Sequence, residues 1–391
     1  RGSRTRTRRC ASCGARVART ATHGRASELA GERARTTKAA AGDLSSAAGP
    51  VNMSGHRGSA VVVNKLGQPE DLSVEEVNVG EPGKGQVLIE VMCAGVNFPD
   101  VLIIQGKYQN RPKLPFSPGG EISGIVRKLG PGVSGLREGD RVLAIMGWGG
   151  FAQWAVVDAP RVVKIPDAVD FATASGFTFT YGTTYHAFKQ RAQLKKGESV
   201  LILGAAGGVG LAAVELAKAM GASKIIAAAS TDEKLEICKR FGATHTINYA
   251  RDSFKDCLKE IVGSEGVDVV YDPVGDKYAE PAIRALAWNG RYLVIGFAGG
   301  EIPKIPLNLY LLKGASAVGV FWGRFTSMEP AEHSKNTSEL LTMIANKQLR
   351  PLVSNQYPLS DAPRALRDMM ERKVTGKAVI VCSPAANGAR L

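Results

Sequence analysis

The chain has 391 residues, long enough for two ordinary domains that each bury a core. Hydrophobic residues make up 44% and charged residues 22%, close to average usage, which excludes disorder or a fibrous class for the bulk of the protein. The formal charge of +14 is uneven: residues 1–52 carry ten Arg and one Lys against Glu28, Glu32 and Asp43, a net of +8, which leaves +6 for the remainder.

That first segment is rich in Arg, Ala, Ser and Thr, has no Phe, Trp or Tyr, and lacks the apolar stretch of a secretory signal. It reads as an organelle transit peptide, which would direct the protein to mitochondria. A second reading stays open: position 1 is Arg and Met53 opens a sensible start, "MSGHRGSAVVV", so the leader could be a non-native extension on a cytoplasmic protein. Nucleic-acid binding ranks third, because an Arg-rich arm without aromatic platforms offers only unspecific phosphate attraction. Cys10 and Cys13 form one CxxC with no second pair at zinc-site spacing, while Cys93, Cys238, Cys257 and Cys382 lie in apolar or helical contexts suited to reduced core thiols. No uncharged apolar run reaches the ~20 residues that span a bilayer, so membrane insertion is not expected.

From 58 to about 165, short β-branched runs alternate with Gly and Pro turns ("SAVVVNK", "GQVLIEVMCAGVN", "GEISGIVRKLG", "GDRVLAIM"), the pattern of a β-rich module. Beyond about 176 the rhythm becomes strand, helix, strand: "SVLILG", a helix through Met220, "KIIAAAS", a helix from Asp232 to Phe241, "THTINY", a helix over 252–262, "GVDVVYD", a helix over 278–288, and "GRYLVIGF". Such alternation predicts right-handed crossovers and a parallel sheet with helices on both faces. Helices over 332–346 and 361–373 and a last strand, "GKAVIVC", follow and return to the first module. The expected fold is α/β, with a β-rich domain over 53–175, a doubly wound parallel-sheet domain over 176–320, a return segment over 321–382 and a tail over 383–391.

The stretch "GAAGGVG", residues 204–210, matches the dinucleotide fingerprint GxGxxG with Ala205 in the place of the first glycine, then Gly207 and Gly210. A β-branched strand precedes it and an amphipathic helix follows, which is the context the fingerprint requires. Gly207 lets the backbone approach a pyrophosphate, Gly210 lets helix and strand pack closely, and the helix N-terminus offers free N–H groups to the anion. At the tip of the second strand stands Ser230 rather than the carboxylate of an NAD-selective site. Lys234 follows one turn later, with Tyr249 and Arg240 more distant, so the pattern favours NADPH. "STDE" also reads as a capping box from Ser230 to Glu233, which needs no ligand.

These segments together resemble the medium-chain dehydrogenase/reductase superfamily, in its zinc-free quinone oxidoreductase (zeta-crystallin-like) branch. The resemblance rests on "AGVNFPDVLIIQGKY" (94–108), "PGGEISGIV" (118–126), "GAAGGVG" (204–210), "STDEK" (230–234), "INY" (247–249), "DVVYDPVG" (268–275), "GRYLVIGFAGG" (290–300) and "GKAVIV" (376–381), and spans about 58–382. It implies a GroES-like catalytic domain beside a Rossmann-type domain, a homodimer formed through the cofactor domains, and NADPH in the cleft between the two domains. The implied cofactor-binding residues are Gly204, Ala205, Gly207, Gly208, Val209, Gly210, Ser230, Lys234, Tyr249 and Phe297. Asn97, Asp100 and Tyr108 are implied at the nicotinamide end, with Tyr108 a candidate donor to a substrate oxygen. Each has a plainer role: Asn97 satisfying backbone groups at a strand end, Asp100 capping the next segment, Tyr108 packing. "TFTYGTTY", 178–185, is expected to lead a connecting helix past the cofactor.

Zinc-dependent relatives place a Cys where Asn97 stands and a His-Glu pair where Gly120 and Glu121 stand, so a tetrahedral zinc site is not expected here, and Gly120 is expected to leave open space at the substrate end. His186 lacks a partner ligand in the sequence and reads as structural or solvent-facing. Without a metal to stabilise an alkoxide, the expected reaction passes a hydride from NADPH to a small electron-poor acceptor, a quinone or a conjugated carbonyl. Enoyl or enal reduction, and a weakly catalytic NADPH-binding structural or RNA-associated protein, remain the alternatives. No GxSxG elbow, HExxH or P-loop is present, which removes support for hydrolase, zinc-protease and NTPase functions.

Overall fold

A computed structural model describes residues 55–383; the leader with Cys10 and Cys13, Met53, and residues 384–391 lie outside the described residues. A hairpin of β1 (Gly55–Val62) and β2 (Ser73–Gly80) precedes β3 (Gln86–Val96), α1 (Phe98–Ile104), β4 (Glu121–Leu129), β5 (Arg141–Ile145), β6 (Trp154–Asp158) and β7 (Val162–Lys164). Helix α2 (Phe171–His186), capped by Asp170 through the N–H of Thr173, crosses to the second half and ends in a π-helical turn over Ala187–Ala192. The alternating half contains β8 (Ser199–Leu203), α3 (Gly208–Ala219), β9 (Lys224–Ala229), α4 (Asp232–Phe241), β10 (His245–Asn248), α5 (Phe254–Val262), β11 (Val267–Asp272), α6 (Ala279–Arg284), β12 (Leu286–Val294), α7 (Asn308–Lys313) and β13 (Ser316–Gly319). Then come α8 (Trp322–Met328), α9 (Pro330–Ala345), β14 (Val353–Pro358), α10 (Ala362–Met370) and β15 (Lys377–Val381).

The second sheet is parallel, in the order β10-β9-β8-β11-β12-β13. Counted from β8 this is 3-2-1-4-5-6, the Rossmann order, whose direction reverses between β8 and β11. Successive residues of β8 enter different cores, Val200 and Ile202 on one face and Leu201 and Leu203 on the other, so its apolar run reflects burial on both sides.

In the first sheet β3 is the axis. One edge pairs with β4; the other is shared, residues 86–90 opposite β6 and residues 93–96 opposite β15. The end of the chain thus lies beside the end of β3, where Asn97 emerges. Helix α2 joins the two halves: one apolar cluster runs from Met92, Cys93 and Leu143 through Phe177 and Tyr181 to Val200, Ala213 and Leu216.

Three expectations change. The helix over 278–288 stops at Arg284, because Leu286 is drawn into β12 opposite Val267 and the Val267 N–H bonds the carbonyl of Ala285. The N-cap of α4 is Thr231 rather than Ser230: the Thr231 hydroxyl accepts the N–H of Lys234 at 3.3 Å. The space at Gly120 is filled: a Cβ there would lie 3.0 Å from Cζ of Phe179 and 3.4 Å from the carbonyl of Gly147.

Candidate active site

The glycine bend sits at the C-terminal end of β8, beside the point where the strand order reverses. Its left-handed residue is Gly204, φ 57°, so the turn is made one position before Ala205, and an alanine is tolerated there. Each later glycine has its own reason. A Cβ on Gly210 would approach the Gly204 carbonyl to 2.2 Å, and one on Gly208 would meet Cγ2 of Thr180 at 2.9 Å, so these two let α3 close on the bend and on α2. Around Gly207 only the Gly204 carbonyl comes near, at 3.4 Å, so its missing side chain leaves room for a ligand rather than for protein. Gly207 is the N-cap of α3, and the first N–H groups beyond it, at Gly208 and Val209, have no intrahelical acceptor. Facing the bend, Asp272 clamps the turn after β11: Oδ1 accepts the N–H groups of Val274 at 2.7 Å and Gly275 at 2.8 Å, and Oδ2 accepts the hydroxyl of Tyr292.

Ser230, Lys234 and Tyr249 meet at the tips of β9 and β10. Ser230 hydrogen-bonds the Tyr249 phenol, whose proton is held more tightly than usual by burial and then by Tyr278, against the opposing charge of Arg372. The Lys234 ammonium donates to the Arg372 carbonyl at 2.9 Å, leaving further protons free. Arg372 comes from the loop after α10 and is anchored to the Ala298 carbonyl at 3.0 Å, so a guanidinium joins the cluster from a distant part of the chain. Arg240 lies further along α4, six residues beyond Lys234, about 9 Å at 1.5 Å per residue. Phe297, half-exposed, packs over Gly275 on the loop after β12. This cluster could hold a ribose 2′-phosphate, and the bend the pyrophosphate.

At the other end, Asn97, Asp100 and Tyr108 come together around a buried ion pair. Asp100 accepts the backbone N–H of Asn97 at 2.8 Å, the capping role its spacing suggests. The Asn97 amide nitrogen donates to Glu121 Oε1 at 2.9 Å and weakly to the Gly95 carbonyl at 3.3 Å. Lys377 donates to Asn97 Oδ1 at 2.5 Å and Glu121 Oε1 at 2.8 Å, and the second Glu121 oxygen accepts the N–H of Phe179 at 3.0 Å. Burial raises Asp100 to about 7, against the N–H of Asn97 and the charge of Lys377 and with the help of Glu121. Tyr108 is half-buried, and burial followed by the charge of Asp100 raises its pKa, so the phenol keeps its proton. His186 is structural: buried, stacked on Phe325 with centroids 3.9 Å apart and bonded to Gln190.

Reading the sequence missed Lys377 and Arg372 and gave Glu121 no role. Lys377 sits in "GKAVIV", which carries the family resemblance as a segment, and Arg372 is one cation among many; neither carries a local signal.

Two family profiles match the chain: "Alcohol dehydrogenase GroES-like domain" over residues 83–167 and "Zinc-binding dehydrogenase" over 208–340. "Quinone oxidoreductase-like protein 2 homolog" of Nematostella vectensis is 40% identical over 324 residues, covering 82% of this chain and 88% of that protein. "Quinone oxidoreductase" of Homo sapiens is 32% identical, covering 82% of this chain and 97% of its own length. Among solved structures, Escherichia coli quinone oxidoreductase complexed with NADPH superposes with a TM-score of 0.77 at 30% identity, over 83% of this chain and 99% of that one. Despite the zinc in one profile's description, the donors here do not fit that metal. Asn97 offers a neutral amide, Gly120 offers nothing, and the Glu121 carboxylate faces an ammonium; among the described residues no group of three His, Cys, Asp or Glu is placed to hold a metal ion.

Proposed function

Because the chain belongs to the quinone oxidoreductase branch of the medium-chain dehydrogenase/reductase superfamily, we propose that this NADPH-dependent oxidoreductase reduces a quinone or similar electron-poor conjugated carbonyl without a metal. The observation that carries the reading is the pairing of a dinucleotide bend at a Rossmann switch point with a substrate end whose potential ligand positions hold an amide, a glycine and a carboxylate already neutralised by Lys377. Bound NADPH supplies the hydride; a quinone that receives it and one proton becomes the hydroquinone. An acceptor of this kind needs no Lewis acid to become electrophilic, so the protein's part is placement and a donor at the developing oxyanion. Tyr108 suits the donor role, since its environment keeps it protonated. Phe179, whose ring borders Gly120, and Trp322, tilted 59° to it with centroids 5.2 Å apart, supply apolar ring surface that suits an aromatic or conjugated acceptor.

Preference for NADPH over NADH rests on Ser230, Lys234, Tyr249 and Arg372. A homodimer is part of the same reading. Edge strand β13 and the strongly exposed Trp288, Leu307, Leu311 and Leu312 would be covered by a second copy, and sedimentation velocity should give twice the monomer mass.

Stopped-flow mixing with NADPH and either a small ortho-quinone or an enal tests the function. Acceptor-dependent loss of NADPH absorbance, faster with the quinone and indifferent to chelators, is the expected result. Tight cofactor binding without turnover would favour a structural protein, and an absolute need for Zn²⁺ would overturn the mechanism.

A further inference from the structure

Lys377 is almost fully buried, with 5% of its side chain exposed, and its ion pair with Glu121 is as enclosed on the other side, at 1%. The surrounding backbone makes room for it. A Cβ on Gly176 in α2 would lie 2.7 Å from Cγ of Lys377, and one on Gly95 in β3 would lie 2.6 Å from Oε1 of Glu121. Two elements thus lack side chains where the lysine stem and its carboxylate must pass.

An ammonium only donates and a carboxylate only accepts, so together they allow the Asn97 amide a single orientation: oxygen towards Lys377, nitrogen towards Glu121. The preceding residue ties the same strand to the cofactor bend. Gly376, φ 66°, donates its N–H to the Ala206 carbonyl at 2.8 Å, and its own carbonyl lies 3.3 Å from where a Cβ on Gly208 would be. Two consecutive residues therefore touch the two ends of the cofactor site. Cohesion alone does not explain this, since apolar residues of similar volume often hold a core as well as a buried ion pair does.

We propose that Lys377 is a positioning residue for hydride transfer: its ammonium fixes the Asn97 amide at the nicotinamide end while Gly376 links that strand to the bend that receives the pyrophosphate. The inference rests on the reading above that Asn97 borders the nicotinamide. It gives the lysine no contact with the acceptor.

The test compares Lys377→Met with the double variant Lys377→Met/Glu121→Gln, which removes both charges. Thermal unfolding, affinity for 2′,5′-ADP and for NADPH, and single-turnover hydride transfer to an ortho-quinone are measured on each. The double variant should recover most of the melting temperature lost by the single one and bind 2′,5′-ADP like the unmodified protein. It should nonetheless bind NADPH about fivefold more weakly and transfer hydride about thirtyfold more slowly. A double variant equal to the unmodified protein in NADPH affinity and transfer rate would reduce the pair to a structural contact and overturn the proposal. If the unmodified protein reduces no acceptor, the functional reading fails. The ratio of NADPH to 2′,5′-ADP affinity then decides the role of the lysine by itself: a selective loss for NADPH upholds it and an unchanged ratio overturns it.

Discussion

Lys377 and Glu121 form a buried ion pair of 2.8 Å between β15 and β4, two strands that are not neighbours but lie on either side of β3. The pair fastens β15 to the middle of the first sheet, and the Asn97 amide is held by both of its members.

Removing one partner leaves the other charged and enclosed. Glu121→Gln should therefore lower unfolding stability by roughly 3–5 kcal/mol, the cost of an uncompensated buried charge. Chemical denaturation measures this directly; a loss below about 1 kcal/mol would show that water or another group reaches Lys377.

Asp100 gives the protein a pH dependence of definite sign. Its folded pKa, about 7, lies above the ordinary carboxylate value, chiefly through burial. The folded state therefore holds a proton that the unfolded state has released, across the window from about pH 4 to about pH 7. This contribution is fully present below the unfolded pKa and is lost as pH rises through the folded one, with a slope of up to about 1.4 kcal/mol per unit. Asp100→Asn should flatten this part of the melting-temperature profile. A variant whose profile parallels the unmodified protein between about pH 4 and about pH 7 would show that another group titrates there.

The glycines of the bend should separate by function. Gly207→Ala brings its methyl no nearer than 3.4 Å to the protein, so folding should be unchanged while NADPH affinity falls by about tenfold or more, at least 1.4 kcal/mol. Gly210→Ala drives a methyl into the Gly204 carbonyl and should cost about 1–3 kcal/mol of stability before any ligand is added. Calorimetric unfolding with and without NADPH distinguishes the two, and normal NADPH binding by Gly207→Ala would remove that residue from the cofactor site.

Selectivity for the 2′-phosphate should reside in cations contributed by two distant segments. Lys234→Glu and Arg372→Ala should each weaken NADPH by about 10- to 100-fold, the worth of a hydrogen bond to a charged group, and barely change NADH. Equal losses for both nucleotides would place these side chains elsewhere on the cofactor.

How much of this was legible in the sequence follows from how local each feature is. The helix from Asp232 to Phe241 and the neighbouring strands were readable because the periodicity of burial acts within a few residues, although the cap proved to be Thr231 and not Ser230. The helix expected to reach 288 was misjudged because Leu286 answers to Val267 across the sheet rather than to its own neighbours. Asn97 and Asp100 stood out by resemblance and spacing, whereas Gly120 misled: the absence of a side chain says nothing about Phe179 arriving from α2 to fill the space.

By itself the sequence determined a Rossmann-type half with a glycine bend, a β-rich half before it and the family that combines them, since each is written in short-range periodicity and in motifs of fixed spacing. Only the tertiary structure decided that Lys377 would join Asn97 and Glu121, and Arg372 the cluster of Lys234 and Tyr249. Both residues reach their partners from the last strand and the loop before it, across some 250 and 140 residues of chain, and contacts closed over such separations leave no periodic trace in the sequence.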